Sequence, residues 1–113
     1  MDTPLHQQHC VPLPKGSPAL TAVEAEQLLS ELHQDWRIED RTLIRVCRFG
    51  NYYETIAFVN ALAWIAHRED HHPDLVVGYN RCEIRFTTHS IGGLSRNDFI
   101  CAARIDRLLE PDA

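Results

Sequence analysis

Residues 75–89, LVVGYNRCEIRFTTH, decide the fold. Leu75-Val76-Val77 is a short apolar run, and Cys82 to His89 alternates apolar and polar side chains, as β-strands do. The turn-forming pair Asn80-Arg81 separates the two stretches. The segment therefore predicts a β-hairpin over 75–89 whose two ends lie side by side.

The same alternation occurs earlier in the chain. Residues 36–39 and 42–49 alternate on either side of Asp40-Arg41, which predicts a second hairpin over 36–49. Thr21 followed by Glu24 is a capping box, and leucines at helical spacing behind it predict a first helix over 21–33.

Two more helices complete the order of elements. Apolar residues at helical spacing predict a long helix over 52–68, which cannot extend past His72 because Pro73 follows. Ser95 and Asp98 form another capping box, and the pattern behind them predicts a last helix to about residue 109. The order helix, hairpin, helix, hairpin, helix predicts an α+β fold, a four-stranded antiparallel sheet with three helices packed on one face.

The prolines and glycine before residue 19 predict a flexible N-terminal tail over 1–18, with order beginning near Thr21 and one domain over 19–113. The net charge is −5 and no Lys/Arg cluster stands out, which argues against direct binding to nucleic acid or an anionic membrane. Residues 1–18 hold no apolar signal-peptide core, so we expect a cytoplasmic protein. The four cysteines form no C-x-x-C pair, and we expect Cys47, Cys82 and Cys101 to be small buried residues.

Histidines gather around the second hairpin. His71-His72-Pro73 precedes it and His89 ends it, so a tight hairpin would bring His71, His72 and His89 to one edge of the sheet. Imidazole has an unperturbed pKa of about 6.5, which suits proton transfer near neutral pH without a cofactor. Tyr79 and the Gly92-Gly93 pair would suit a flat heterocyclic substrate. Because adjacent strand residues point to opposite faces, we predict that His71 and His72 are not in regular strand geometry.

Residues 67–98, HREDHHPDLVVGYNRCEIRFTTHSIGGLSRND, resemble the signature of the pterin-4a-carbinolamine dehydratases. That signature has a charged residue, His-His-Pro after three positions, an aromatic residue, a histidine nine residues later and then an aspartate. The corresponding residues here are His67, His71-His72-Pro73, Tyr79, His89 and Asp98, and the likeness extends from about Trp36 to Asp106. His67 is a departure, because well-known members often carry a carboxylate there.

The resemblance implies an enzyme that converts a 4a-hydroxytetrahydropterin, left by aromatic amino acid hydroxylases, into a quinonoid dihydropterin plus water. It implies the same α+β fold, a homodimer or homotetramer, and no cofactor, since the pterin is the substrate. It assigns catalysis to His71, His72 and His89, with His71 or His89 as the acid and His72 orienting the ring. Asp98, Tyr79 and Gly93 are the expected substrate-binding residues.

Three alternatives stay open from the sequence. Asp98 is expected to cap its helix whether or not it also contacts substrate. His67 and His71 are four residues apart, a spacing that can bind zinc on one helical face. Animal relatives of the family also bind a transcription factor's dimerisation helix, so a protein-interaction module that uses the helix 52–68 without catalysis is the rival function.

Overall fold

The computed structural model describes residues 3–110. Its helices and strands follow the predicted order, and they are α1 (Ala22–Leu29), β1 (Arg37–Glu39), β2 (Thr42–Arg48), α2 (Tyr52–Glu69), β3 (Asp74–Val77), β4 (Arg81–Phe86) and α3 (Arg96–Leu109). Two short 3-10 turns, Leu5–Gln7 and His89–Ile91, lie outside them.

The four strands form one antiparallel sheet in the order β1-β2-β4-β3. Alternate residues of the two central strands enter one continuous apolar core together with side chains of all three helices, and these strand residues are Leu43, Cys47, Cys82, Ile84 and Phe86. The predicted α+β architecture, with three helices on one face of a four-stranded antiparallel sheet, is confirmed.

Two predicted boundaries are wrong. Helix α1 begins at Ala22, capped by the predicted Thr21–Glu24 capping box, but ends at Leu29 rather than at residue 33. Strand β4 ends at Phe86, and His89 starts a 3-10 turn instead of ending the strand. The apolar periodicity of Leu32 reflects packing against the core from a turn, not continuation of the helix.

Helix α2 ends where the sequence requires. Asn51 caps its start by accepting a hydrogen bond from the Glu54 N–H at 2.9 Å. Asp70 adopts a left-handed conformation with φ 50°, and the His71 N–H donates to the Ala66 carbonyl at 3.1 Å. Residues 71–73 belong to neither α2 nor β3. The prediction that His71 and His72 avoid regular strand geometry is confirmed.

Part of the segment that was predicted to be a flexible tail over 1–18 packs against the folded domain. Residues 5–13, which we call the N-terminal strap, pack along α3, and the Leu5 side chain is 3% exposed within the core. The Arg104 Nε–H donates to the Gln8 carbonyl at 2.9 Å. The prediction that order begins near Thr21 is therefore corrected, except for residues 1 and 2 and for 111–113 at the end of the predicted domain, which lie outside the described residues.

A buried ion pair joins the sheet to the far end of α3. Arg45 on β2 donates from Nη1 to Asp106 Oδ1 at 2.5 Å, and both side chains are more than nine-tenths buried. The Trp36 indole N–H donates to the same oxygen at 2.7 Å, and Trp36 itself is only 4% exposed. Asp106 Oδ2 accepts the His33 N–H at 3.0 Å.

Residues 3–110 contain no helix with both the length and the apolar character that spanning a bilayer demands.

Candidate active site

The second hairpin, formed by β3 and β4, and helix α3 bring an imidazole and a carboxylate into direct contact. His71, just after α2, places Nε2 2.6 Å from Asp98 Oδ1 in the first turn of α3. Asp98 is fully buried, whereas the His71 side chain keeps 14% of its surface exposed. The carboxylate thus lies behind the ring and fixes its orientation, a task that a paired carboxylate commonly performs for a working histidine.

Asp98 holds two further donors through its second oxygen. Thr88 Oγ1 donates to Asp98 Oδ2 at 2.8 Å, and the Ser95 N–H donates to it at 2.9 Å. The Ser95 hydroxyl lies 2.7 Å from Thr88 Oγ1. Because the Thr88 proton goes to Asp98, the Ser95 hydroxyl must donate to Thr88. The donors at its two oxygens leave the Asp98 carboxylate little freedom to move.

Phe86, the last residue of β4, supports the His71 ring from below. The two rings are nearly parallel, with an interplanar angle of 6° and centroids 5.8 Å apart. Phe86 has no exposed surface. One edge of the imidazole is therefore fixed by Asp98 and one face by Phe86.

His71 lines a cleft of about 350 Å³. Its walls come from the end of α2, the 3-10 turn after β4, α3 and the N-terminal strap, and the lining residues are Cys10, Val11, Pro12, Leu13, Arg68, Glu69, Asp70, His71, Thr88, Ser90 and Asn97. The volume lies within the range of about 300–1,000 Å³ typical of small-molecule sites.

The hairpin brings the ends of the predicted site together along the backbone. Asp74 pairs with Arg85, and beyond the paired strands His71 and Thr88 both bind Asp98, which brings His71 close to the residue before His89. His72 and His89 are both exposed and do not line the cleft of His71. That all three imidazoles serve one pocket stays a prediction.

Two other predicted residues do not line the cleft of His71. Tyr79 is in the turn at the opposite end of the hairpin, where its ring is 65% exposed and stacks on Tyr52 with centroids 6.3 Å apart. Gly93 is buried behind the 3-10 turn, and its carbonyl accepts the Thr88 N–H at 3.0 Å. The structure does not bring Tyr79 or Gly93 to the cleft, and their contact with substrate stays a prediction.

Sequence reasoning missed the residues that support His71. Thr88 and Phe86 belong to the strand alternation, and nothing in that pattern distinguishes them from ordinary core and edge residues. The strap was missed because its prolines indicate an extended chain but do not show which part of the fold that chain packs against. The capping-box spacing of Ser95 and Asp98 was the one local signal, and it located this carboxylate correctly.

The nearby thiols and carboxylates do not form a metal cage. Among residues 3–110, no three His, Cys, Asp or Glu side chains group closely enough to hold a metal ion. Cys10 and Cys101 have their sulfur atoms 3.5 Å apart beneath the cleft. Their hydrogen bond, together with burial, raises the pKa of the Cys101 thiol, so this cysteine is not an activated nucleophile.

This arrangement is suited to moving protons at a small polar substrate. An imidazole with one nitrogen fixed by a carboxylate presents its other nitrogen in a defined direction. A neighbouring carboxylate also stabilises the charged imidazolium that forms during proton transfer. Thr88, just before the 3-10 turn, and Ser90 within it are further polar residues that line the cleft.

Comparison with known proteins points to one family. Residues 18–108 match the family model described as pterin 4 alpha carbinolamine dehydratase. A Nitrosomonas eutropha protein, named only provisionally as a pterin-4-alpha-carbinolamine dehydratase, is 55% identical over 105 residues, which cover 93% of each chain. A Legionella pneumophila protein with the same provisional name is 48% identical over 111 residues, which cover 96% of this chain and 98% of that one.

Two solved structures are similar to the fold. A transcriptional coactivator/pterin dehydratase from Brucella melitensis superposes with a TM-score of 0.75 at 27% identity, covering 80% of this chain and 97% of that chain. A pterin dehydratase-like protein described as a RuBisCO assembly factor in the alpha-carboxysome has a TM-score of 0.57 at 28% identity, covering 67% of this chain and 90% of that chain.

Proposed function

The chain belongs to the pterin 4 alpha carbinolamine dehydratase family, and from that premise we propose that it removes water from a 4a-hydroxytetrahydropterin. The product is the quinonoid dihydropterin. The observation that carries the proposal is the His71–Asp98 pair at 2.6 Å, which lies against a cleft of about 350 Å³.

The proposed reaction is an acid-base elimination. His71 gives a proton to the 4a-hydroxyl group, the C4a–O bond breaks, and the hydroxyl leaves as water. The lone pair of the adjacent ring nitrogen forms the C=N bond, and His89 takes the proton that this nitrogen loses. We assign the acid to His71 because Asp98 stabilises its imidazolium form. His72 orients the ring.

Asp98 acts in this proposal as a positioning residue. It is fully buried, so it reaches the substrate only through His71. His72, His89, Tyr79 and Gly93 lie outside the cleft of His71, so their proposed roles require that the bound pterin, or a second copy of the chain, extends the site beyond that cleft. We also propose a cellular context for this activity. The protein would recycle tetrahydrobiopterin for an aromatic amino acid hydroxylase in the cytoplasm, and it would act as a homodimer or homotetramer.

A protein-interaction role is the second candidate, and the surface of α2 favours it. Tyr53 is 81% exposed and Trp64 is 61% exposed on this helix. Aromatic residues are enriched in protein–protein interfaces. The Brucella relative is described as a coactivator as well as a dehydratase, so binding and catalysis can belong to one fold.

Stopped-flow measurement with chemically generated 4a-hydroxytetrahydropterin tests the enzyme proposal. The wild type should accelerate dehydration, and His71→Ala combined with His72→Ala should lower the rate by about 10²–10⁴-fold, the usual contribution of acid-base groups. His33→Ala is the matched control, because His33 lies near Asp106, two helical turns of α3 away from Asp98. A folded wild type without any acceleration would favour the interaction module instead.

A metal assay accompanies the kinetics, because the histidines also raised a zinc alternative. We propose catalysis without a metal, so activity should survive prolonged treatment with a chelator. Stoichiometric zinc in the purified protein, with activity lost on chelation, would contradict this part of the proposal.

A further inference from the structure

The N-terminal strap forms one wall of the cleft that contains His71. Residues Cys10 to Leu13 line it, facing His71 and the end of α2. The strap precedes residue 18, where the match to the family model begins. The strap therefore lies outside the family-model match, although the Nitrosomonas and Legionella relatives align over more than nine-tenths of the chain, and it contributes directly to the candidate site.

Buried anchors hold the strap in a fixed position. The Cys10 N–H donates to Glu69 Oε1 at 2.7 Å, and the Glu69 side chain is 5% exposed. Asn97 on α3 binds Val11 twice, since Oδ1 accepts the Val11 N–H at 3.1 Å and Nδ2 donates to the Val11 carbonyl at 2.8 Å. Asn97 is 7% exposed. These bonds hold the backbone at Cys10 and Val11 and leave the Val11 side chain exposed.

The strap side chains at the cleft are apolar, whereas the rest of its lining is mostly polar. The apolar side chain of Val11 is 59% exposed, and Pro12 and Leu13 extend this apolar surface. Polar and charged residues, His71 and Ser90 among them, line the rest of the cleft. A cleft with one apolar and one proton-transferring wall suits a flat heterocycle, one face of which packs against hydrocarbon while its reacting edge meets the imidazole.

We propose that the strap determines substrate binding in this protein, with Val11 and Leu13 packing on the bound reduced pterin and holding it against His71. The inference rests on the proposed dehydratase function, and it adds a recognition element outside residues 18–108. Val11 and Leu13 act through binding and take no part in proton transfer.

The test compares Val11→Ala combined with Leu13→Ala against wild type. Losing the apolar contacts should raise the KM for 4a-hydroxytetrahydropterin roughly tenfold and leave kcat within about twofold. Equilibrium dialysis with 7,8-dihydrobiopterin should show a similar weakening of Kd. The matched control is Val23→Ala, a valine on α1 that is 68% exposed, which should change neither constant.

The kinetic and binding measurements distinguish a failure of the strap proposal from a failure of the dehydratase proposal. If wild type is active and the double variant keeps its KM and Kd, the strap proposal is wrong and the dehydratase proposal stands. If wild type neither accelerates dehydration nor binds dihydrobiopterin, both proposals fall. Thermal melting of each variant checks that the fold persists, which we expect because Val11 is largely exposed and Leu13 only partly buried.

Discussion

His71 Nε2 lies 2.6 Å from Asp98 Oδ1, and this contact joins the end of α2 to the start of α3. The two residues are 27 positions apart in the chain, and the second hairpin lies between them. The hairpin therefore acts as the spacer that returns the chain to His71. The same carboxylate caps α3, so the orientation of the candidate acid is linked to a structural feature of the fold.

Replacing Asp98 by asparagine tests whether dehydration needs the charge of this carboxylate or only its size. The amide keeps the volume of the carboxylate but carries no charge to stabilise an imidazolium, and it cannot accept from His71, Thr88 and Ser95 in the same way. We expect the dehydration rate to fall by about 10²-fold, at the lower end of the range for acid-base groups. Stopped-flow kinetics measure it.

Glu24→Gln is the control for Asp98→Asn, because Glu24 occupies the same capping-box position on α1. Glu24→Gln should lower the stability of α1 without changing the rate of dehydration. An Asp98→Asn protein with the wild-type rate and pH profile would show that Asp98 only caps α3.

Phe86→Leu tests the support beneath the His71 ring. Leucine preserves most of the buried apolar volume, so we expect less than about 1.5 kcal/mol loss in the free energy of unfolding. The flat surface that stacks on the imidazole at 5.8 Å is lost, and the rate should fall about tenfold as the ring becomes less well positioned. Urea denaturation and stopped-flow kinetics give the two values. Phe58→Leu, on α2, should lose comparable stability with little change in rate, and equal rate losses in both variants would argue against a specific role of the stack.

The sequence predicted the elements well because their signals are local. The alternation in 75–89 and the two capping boxes each lie within a few residues, and the structure confirms them. The ends of α1 and β4 were misjudged because Leu32 and His89 continue a periodicity that tertiary packing then overrides. The partners of His71 are a matter of docking. Nothing local shows that Phe86 stacks on this ring or that Val11 approaches it from the N-terminal strap.

Removing one partner of the Arg45–Asp106 pair should lower the free energy of unfolding strongly, whereas replacing both partners by apolar residues should lower it much less. Asp106→Ala leaves the Arg45 charge buried without its partner and frees the Trp36 indole, so we expect a loss of about 3–5 kcal/mol in the free energy of unfolding. Arg45→Met combined with Asp106→Leu removes both charges and should recover much of that loss. The exposed pair of Arg107 and Glu110 is the contrast, and Arg107→Ala should cost less than about 1 kcal/mol.

Urea denaturation compares these variants with wild type. If Asp106→Ala costs no more than Arg107→Ala, the buried network does not stabilise the fold as its geometry indicates. If the double replacement is as unstable as Asp106→Ala, packing rather than the unpaired charge is responsible for the loss.

Glu69 should make docking of the strap depend on pH. Burial alone would raise the pKa of its carboxyl, but the Cys10 N–H, the His9 ring and the Arg104 guanidinium outweigh burial and bring that pKa below its ordinary value of 4.5. A carboxyl whose pKa is lowered in the folded protein contributes stability above its unfolded pKa and loses it as the pH falls through the folded pKa. The strap should therefore stay docked at neutral pH and loosen in acid, from below about pH 4.5 downward.

Hydrogen exchange of the Cys10 amide measures this directly, because that N–H donates to Glu69 at 2.7 Å. Protection, corrected for intrinsic exchange, should fall with acidification in wild type. In Glu69→Gln it should be weaker at neutral pH and change little over the same interval, since the amide does not titrate. Protection in wild type that persists unchanged well below pH 4.5 would mean that Asn97 and the buried Leu5 hold the strap without help from the Glu69 charge.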